Sequence, residues 1–454
     1  MSFVLSERTV REAIGLAGGS PDRQYSTVST DTRTLSPGAL FVALAGERFD
    51  GHEFLAAARD AGAVAAIVRL GCAPVEGLDL LEVPDTLRAY GQLARARRRT
   101  LQTPVIAITG TNGKTSTKEM LAAVLRTRFR THATRANLNN LVGVPQTILE
   151  APPDTEALVV EAGANLPGEI ERYREIIEPD ISIVTNAAEG HLEGFGSLDG
   201  VVEEKLSLTR GVGLALVGMR PPSLAEGARA RGAIEVLTVD LEEGDVRPDR
   251  MVLGEDGRAT LAIDGRTFTL PVIGRHQAGN ALFAWAVARA LHLDLDAAAA
   301  ALSDIEIPGG RGERRDVGGL TIINDCYNAN PASFRALIDL VQQIRGRRRL
   351  AFVAGTMLEL GPAADRMHRE VAEALVALKP DLLAVVGAFV PAMEPWVESL
   401  GDRLLCAPDA PSLAPLLAAR LRGDELVVLK ASRGMALERI LPAITRHAAE
   451  STEA

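Results

Sequence analysis

At 454 residues, with 47% apolar and 24% charged side chains, the chain has the length for two to four domains and the composition of an ordinary soluble globular protein. A net charge of −10 argues against a general nucleic-acid binder, and no apolar run approaches the roughly 18 residues that membrane insertion needs. Three widely spaced cysteines, Cys72, Cys326 and Cys406, argue against a disulfide framework or zinc ribbon and suit a reducing cytoplasm; the opening "MSFVLSERTVREAIG" is too polar for a secretory signal.

Three blocks follow along the chain, residues 1–100, 101–308 and 309–454. In the first, "STDTRTLSPGALFVALAGERFDGHEFLAAARDAGAVAAIV" mixes short strands and turns with a helix near residues 52–62. "DTLRAYGQLARARRRTL" then predicts a helix with an arginine-rich end. The second block opens on the strand "PVIAITG". Apolar runs alternating with helical stretches ("ALVVEAGAN", "ISIVTNAAEG", "LALVGM") predict βαβ units and a parallel sheet. "MVLGEDGRATLAIDGRTFTLPVIG" alternates as an antiparallel sheet does around Asp-Gly turns, and "HQAGNALFAWAVARAL" predicts an amphipathic helix. After the linker-like "EIPGGRGE" the βα rhythm restarts, with strands expected at "LTIIND", "RLAFVAG", "LLAVVG", "RLLCA" and "ELVVLKA" and a helix opened by Asn330 as cap and Pro331 as first residue.

The stretch "VIAITGTNGKTSTKEM" carries the clearest chemistry. A strand through Thr109, a turn over 110–113 and a helix from Thr115, with Met120, Leu121, Val124, Leu125 and Phe129 on one side, form the context of a phosphate loop. Helix-start N–H groups cradle phosphate oxygens, Lys114 neutralises them, and the Thr115 hydroxyl suits Mg²⁺. The loop has the short spacing G-x-x-G-K-T, because Ile108 stands where the common pattern has glycine. The alternative is a βα turn that happens to contain Gly-Lys-Thr.

Glu161 and Asn186 end strands, where open α/β sheets bind ligands; a carboxylate there is either a Mg²⁺ ligand or a solvated acid. His191 and Lys205 in "GHLEGFGSLDGVVEEK" are not singled out by spacing, and a solvated helix lysine is the bland alternative for Lys205. Asp325, Tyr327, Asn328 and Asn330 cluster after one third-block strand, and "GTMLELG" and "LKASRGMALE" follow two others. Only five of 49 basic residues are lysine (Lys114, Lys118, Lys205, Lys379 and Lys430), so a surviving lysine marks a place that wants a compact amine. Motifs for hydrolase triads and zinc catalysis do not occur.

Taken together, "GTNGKT", "STDTRTLSPGALFVALAGERFDGHEF", "NLNNLVGVPQT", "HLEGFGS", "GRHQAGN" and "NDCYNANP" make the chain resemble the Mur ligases of peptidoglycan synthesis along essentially its full length. The short glycine loop is that family's form. The resemblance implies an α/β chain of three domains matching the three blocks: an N-terminal α/β UDP-binding domain, a central P-loop parallel-sheet ATPase domain and a C-terminal Rossmann-like domain. "GRHQAGN", "NDCYNANP" and "GTMLELG" point to the branch joining D-alanyl-D-alanine to UDP-N-acetylmuramoyl-tripeptide with ATP and two Mg²⁺ ions. The sister ligase for a diamino acid carries a D-N-P-R motif absent here. Folylpolyglutamate synthetase should lack the "STDTR" type of N-terminal domain. A nucleotide-dependent switch that releases phosphate without ligation is the rival from another class.

The resemblance also assigns roles. Gly110, Thr111, Asn112, Gly113, Lys114 and Thr115 would hold ATP, joined by Asn280, Arg311 and Asp325, with the third block closing over the second. Thr115 and Glu161 would bind one Mg²⁺, and His191 with an N6-carboxylated Lys205 the other; Lys114, Glu161, His191 and Lys205 form the implied catalytic set. Asp31 and Arg33 would hold the uridine diphosphate sugar, Asn139 and Asn140 would lie near the acceptor, and Tyr327, Asn328, Ser432 and Arg433 would position the dipeptide. A cytoplasmic monomer is expected. Two departures stand out: Leu206 and Ser207 where relatives carry Gly-Glu, and Ala431 where glycine is usual.

Overall fold

The computed structural model describes residues 5–46, 49–190 and 192–446. The chain divides into two compact units, one of residues 1–108, 129–164 and 168–182, the other of residues 109–128, 165–167 and 183–454.

The first unit contains a four-stranded parallel sheet in the order Val28–Ser29, Leu40–Val42, Ala65–Arg69, Asp79–Val83. Its two central strands are buried on both faces: Leu40, Val42, Ala65 and Ile67 enter one core and Phe41, Ala43, Ala66 and Val68 another, as a period of two dictates. The helix Thr86–Thr100 starts where the Asp85 side chain accepts the Arg88 N–H. Its arginine-rich end is inward chemistry. Arg97 donates to the Ala151 carbonyl, Arg98 to those of Ile177 and Glu178, and Arg99 pairs with the Glu178 carboxylate.

A six-stranded sheet runs Glu235–Val239, Leu214–Gly218, Ile181–Val184, Val105–Thr109, Ala157–Glu161, Thr131–Ala133. Two of its strands, Val105–Thr109 and Ile181–Val184, pass from one unit into the other. The expected βα rhythm is present, but the short, only partly buried edge strands Thr131–Ala133 and Glu235–Val239 are additional to it.

In the second unit the helix Lys114–Arg126 buries Met120, Leu121, Val124 and Leu125. Phe129 lies beyond its end, contrary to expectation. The antiparallel sheet Arg250–Leu253, Arg258–Ile263, Arg266–Ile273 turns at Asp264 and Gly265, both at positive φ, as the Asp-Gly pair predicts. The helix Arg275–Ala290 is not amphipathic. Every residue from 280 to 288 is buried, because the helix packs against Lys114–Arg126 and against two strands of that antiparallel sheet. Small alanines on its outer faces admit the neighbours, so periodicity is lost.

The last sheet runs Glu313–Val317, Leu320–Asp325, Leu426–Lys430, Leu350–Ala354, Leu382–Val386, Leu404–Ala407. The first pair is antiparallel and the rest parallel. All five expected strands are there. Glu313–Val317, at the end of the expected linker, is a charged edge strand. Asn330 caps the helix Pro331–Ile344 in a reciprocal capping box with Ser333. Among the described residues no helix is long and apolar enough to cross a membrane, and all three cysteines are free.

Candidate functional site

The glycine loop is built by close approach. Gly110 has φ +145°, and a Cβ there would stand 2.0 Å from Thr185 Oγ1; Gly113 has φ +85°, and a Cβ there would stand 2.3 Å from Asn280 Oδ1. Both positions therefore require glycine for backbone and for space. Asn186, at the end of the neighbouring strand, frames the loop. Its carbonyl accepts the Thr111 N–H at 2.9 Å, its Oδ1 accepts the Asn112 N–H at 3.0 Å, and its Nδ2 donates to the Asn112 carbonyl at 3.0 Å. Thr185 Oγ1 donates to that carbonyl at 2.6 Å. Lys114 Nζ folds over the loop, donating to the Gly110 and Thr111 carbonyls at 2.7 and 3.2 Å. A glycine turn framed by hydrogen bonds, a helix start and an ammonium at one spot are the groups that an anion site requires.

Third-block residues meet this loop. Arg311 Nη2 lies 3.4 Å from Thr115 Oγ1, and its guanidinium carbon is 3.5 Å from the Tyr327 ring centroid. The Tyr327 N–H donates to the Gly310 carbonyl at 2.9 Å. Asn280 is buried and donates to Gln277 Oε1 at 3.0 Å. Thus Lys114, Thr115, Asn280, Arg311 and Tyr327 are brought together.

Other expected residues are engaged elsewhere. Asp325 pairs with the buried ammonium of Lys430, which also donates to the Asn328 carbonyl at 3.1 Å. Ser432 is buried, accepting the Leu358 N–H at 2.9 Å and donating to the Ala329 carbonyl at 3.3 Å. Arg433 is exposed, with Glu438 at 2.8 Å and the Tyr327 ring at 6.0 Å.

In the first unit, Asn139 Nδ2 donates to Glu161 Oε1 at 2.9 Å, and the Glu161 N–H donates to Thr134 Oγ1 at 2.9 Å. Glu161 is buried, not a solvated strand-end acid. Asn140 Oδ1 accepts the N–H groups of Val142 and Gly143, so this side chain starts the helix Gly143–Leu149. Asp31 and Arg33 grip each other at 2.6 Å. The Arg33 guanidinium, with the Arg33 N–H, holds the Asp31 carboxyl down at about 2.

Lys205, on the helix Leu198–Leu206, is 1% exposed, with Nζ 5.3 Å from the Phe195 ring centroid. The alternative of a solvated helix lysine is therefore overturned. His191 lies outside the described residues.

Among the described residues no three His, Cys, Asp or Glu side chains gather as a metal cluster. The expected donors are of another kind: the Thr115 hydroxyl, one buried carboxylate, and oxygens brought by substrate. Hydroxyl and carboxylate oxygens of this kind fit Mg²⁺, which binds through one or two carboxylates plus phosphates and keeps waters. Of the other two expected donors, His191 lies outside the described residues and Lys205 is an amine that would need carboxylation to supply oxygen.

Several contacts were not foreseen, namely the framing by Thr185 and Asn186, the Lys430–Asp325 pair, and a side-chain pair between Asn112 and Asn330. The scarcity of lysine pointed at Lys430 without saying what it holds.

Residues 108–288 match the family model described as Mur ligase middle domain, 310–433 that of Mur ligase, glutamate ligase domain, and 24–98 that of Mur ligase family, catalytic domain. The chain is 35% identical over 457 residues to the UDP-N-acetylmuramoyl-tripeptide--D-alanyl-D-alanine ligase of Bacillus subtilis (strain 168), covering 96% of this chain and 98% of that one. The chain belongs to the Mur ligase family. The structure superposes with a TM-score of 0.88 on a crystal structure of MurF from Acinetobacter baumannii, at 29% identity, covering 98% of this chain and 99% of that one. With MurF ligase from Thermotoga maritima in complex with ADP the TM-score is 0.82 at 27% identity, covering 93% and 98%. This Mur ligase has the α/β, three-domain fold of its family, and its short glycine loop lies inside the middle-domain match.

Proposed function

We propose that this Mur ligase joins D-alanyl-D-alanine to UDP-N-acetylmuramoyl-tripeptide at the expense of ATP, giving the pentapeptide precursor of peptidoglycan, ADP and phosphate. The observation that carries the reading is the near end-to-end match to the Bacillus subtilis ligase of that name.

A carboxylate does not react with an amine near neutral pH. Its oxygen attacks the γ-phosphorus of ATP, ADP leaves, and an acyl phosphate forms. The dipeptide amine then attacks the acyl carbon, phosphate departs, and the amine gives up its proton. The chain needs no covalent nucleophile for this and has to supply position and charge. The glycine loop holds the triphosphate, and Lys114 swings from the loop carbonyls onto it. Asn280 and Arg311 line the nucleotide site, with Asp325 behind them on Lys430. Thr115 and Glu161 hold one Mg²⁺; His191 and an N6-carboxylated Lys205 hold a second. Bound there, the ions offset phosphate charge and polarise the γ-phosphoryl group. The burial of Lys205, which sets it apart from a solvated helix lysine, supports the reading of a carbamate at that position. Asp31 and Arg33 face the uridine diphosphate sugar, Asn139 and Asn140 the acceptor, and Tyr327, Asn328, Ser432 and Arg433 the dipeptide. The enzyme works in the cytoplasm as a monomer, over the domains 1–100, 101–308 and 309–454.

The test is mass spectrometry of products with each component omitted in turn. The pentapeptide product, with ADP and phosphate, is expected only when acceptor, dipeptide, ATP and Mg²⁺ are all present. Equal ADP release without dipeptide would mark a nucleotide switch instead. An arm with D-alanyl-D-lactate tests the specificity for an amide-linked terminus.

A further inference from the structure

Asn112, in the glycine loop, and Asn330, at the start of the helix Pro331–Ile344, are 218 residues apart and pair side chain to side chain. Asn330 Nδ2 donates to Asn112 Oδ1 at 2.8 Å, and Asn112 Nδ2 donates to Asn330 Oδ1 at 3.4 Å. Each partner is anchored independently. The backbone of Asn112 is bound on both its N–H and its carbonyl by Asn186. Asn330 Oδ1 accepts the Ser333 N–H at 2.9 Å, and the Asn330 N–H donates to Ser333 Oγ at 3.0 Å. Gly190 stands close to both the loop and Asn330: a Cβ there would stand 2.8 Å from Thr111 Cγ2 and 3.6 Å from Asn330 Nδ2.

The residue type is informative. Asp, Ser or Thr would cap the helix as well as Asn does. Only Asn caps with its oxygen and keeps an N–H₂ to donate outward. That surplus donor is the one spent on Asn112. The segment before it, Tyr327 to Asn330, is tied down at three other points: Tyr327 N–H to Gly310, the Tyr327 ring under Arg311, and the Asn328 carbonyl on Lys430.

We infer that the Asn112–Asn330 pair is a positioning latch. It holds the 327–330 segment in register with the loop that carries the phosphates, so that the dipeptide amine meets the acyl carbon. The inference rests on the function proposed above. Neither side chain acts on reacting atoms, and the phosphate cradle keeps its shape through Asn186 whether or not the latch is made.

The test uses Asn112→Ser, Asn330→Ser and the double variant in the full chain. Serine at 330 still caps, yet two serine side chains are too short to meet. Amide hydrogen exchange over 327–330 is read in each, together with kcat/KM for D-alanyl-D-alanine and the Kd for ADP. Losing a pair of hydrogen bonds should speed exchange at 327–330 and lower kcat/KM by roughly tenfold in either single variant. The double should be no worse than the singles, and in Asn330→Ser, whose residue lies outside the nucleotide set, ADP affinity should stay within about twofold, a change below the worth of one hydrogen bond. Unchanged exchange at 327–330 in Asn112→Ser, or penalties that add in the double, would overturn the latch. If exchange responds as stated but the wild type consumes no dipeptide, the latch stands and the ligase reading fails.

Discussion

Replacing Gly113 by alanine tests whether the loop geometry is as tightly specified as the contacts imply. At φ +85° an alanine adopts left-handed backbone, costing about 1–2 kcal/mol. Its methyl would sit 2.3 Å from Asn280 Oδ1, so the amide must turn away. Turning it breaks the buried 3.0 Å hydrogen bond to Gln277, a loss of about 1–3 kcal/mol. The combined cost, about 2–5 kcal/mol, has two outlets. If the loop keeps its shape, the protein loses stability; if the loop relaxes, nucleotide affinity falls, by roughly 30-fold to a few thousandfold were all of it expressed there. ADP titration calorimetry and thermal denaturation should be run on Gly113→Ala, Asn280→Ala and the double. Removing the Asn280 amide removes what the methyl strikes, so the double should be less destabilised than the two singles together, with the backbone penalty remaining. Gly110→Ala should be worse than Gly113→Ala, because backbone atoms of Asn186 stand 3.1–3.2 Å from the added carbon and cannot rotate aside. Stability penalties that add within about 0.5 kcal/mol in the double would refute the clash and with it this account of the loop.

Three further outcomes are expected. Lys205→Ala and Lys205→Arg should both lose most ligase activity while keeping their fold, and short carboxylates should partly restore the alanine variant; near-normal turnover in the arginine variant, which cannot readily form a carbamate, refutes the carboxylated lysine. Lys430→Met leaves Asp325 facing an apolar side chain and should cost about 3 kcal/mol, somewhat discounted because Asp325 is partly exposed, whereas Lys430→Met with Asp325→Leu should recover part of it; denaturant titration decides. His368 accepts the Met357 N–H on Nε2 at 2.9 Å, so Nδ1 carries the proton given to the Ala364 carbonyl at 2.7 Å, and burial pushes its pKa below the ordinary value. A depressed base stabilises the fold while neutral, so stability should be full above about pH 6.5 and fall as pH drops below it. A stability profile that is flat from pH 8 to 5, or unchanged in His368→Gln, would count against this.

How much of this was legible in the sequence depends on the range over which each feature is specified. The glycine loop was readable because strand, turn and helix are contiguous and each glycine answers a local backbone demand. The Asp264–Gly265 turn and the Asn330–Pro331 helix start were readable for the same reason. Glu313–Val317 was missed because its alternation is of charged residues, E-R-R-D, with neither face apolar. The helix Arg275–Ala290 was misjudged because its alanines hide under neighbours whose positions no local pattern encodes. Asn139 and Asn140 show the limit for site residues: adjacent and chemically identical, one binds the Glu161 carboxylate and the other starts a helix.

The lysines extend the argument from motif to composition. Four of the five are not exposed: Lys118, Lys205 and Lys430 are each 1% exposed, and Lys114 is half-buried over the loop. Arginine carries nearly all the surface cation, as in the exposed pairs Arg33–Asp31 and Arg366–Glu370. A guanidinium is planar, wide and permanently charged, suited to forked pairing at a surface. An ammonium is compact, fits beneath an aromatic ring or against a carbonyl, and can give up its proton. Lys205 lies beneath Phe195, Lys430 beneath Phe334 at 5.6 Å, and Lys114 against two loop carbonyls. In a chain where arginine serves as the general cation, these three positions have kept lysine where size or proton loss matters. Lys114 and Lys205 carry the phosphate and carbamate chemistry proposed above. Lys430 fixes Asp325 and the Asn328 carbonyl instead. It thereby steadies the same 327–330 segment that the Asn112–Asn330 pair holds from the other end.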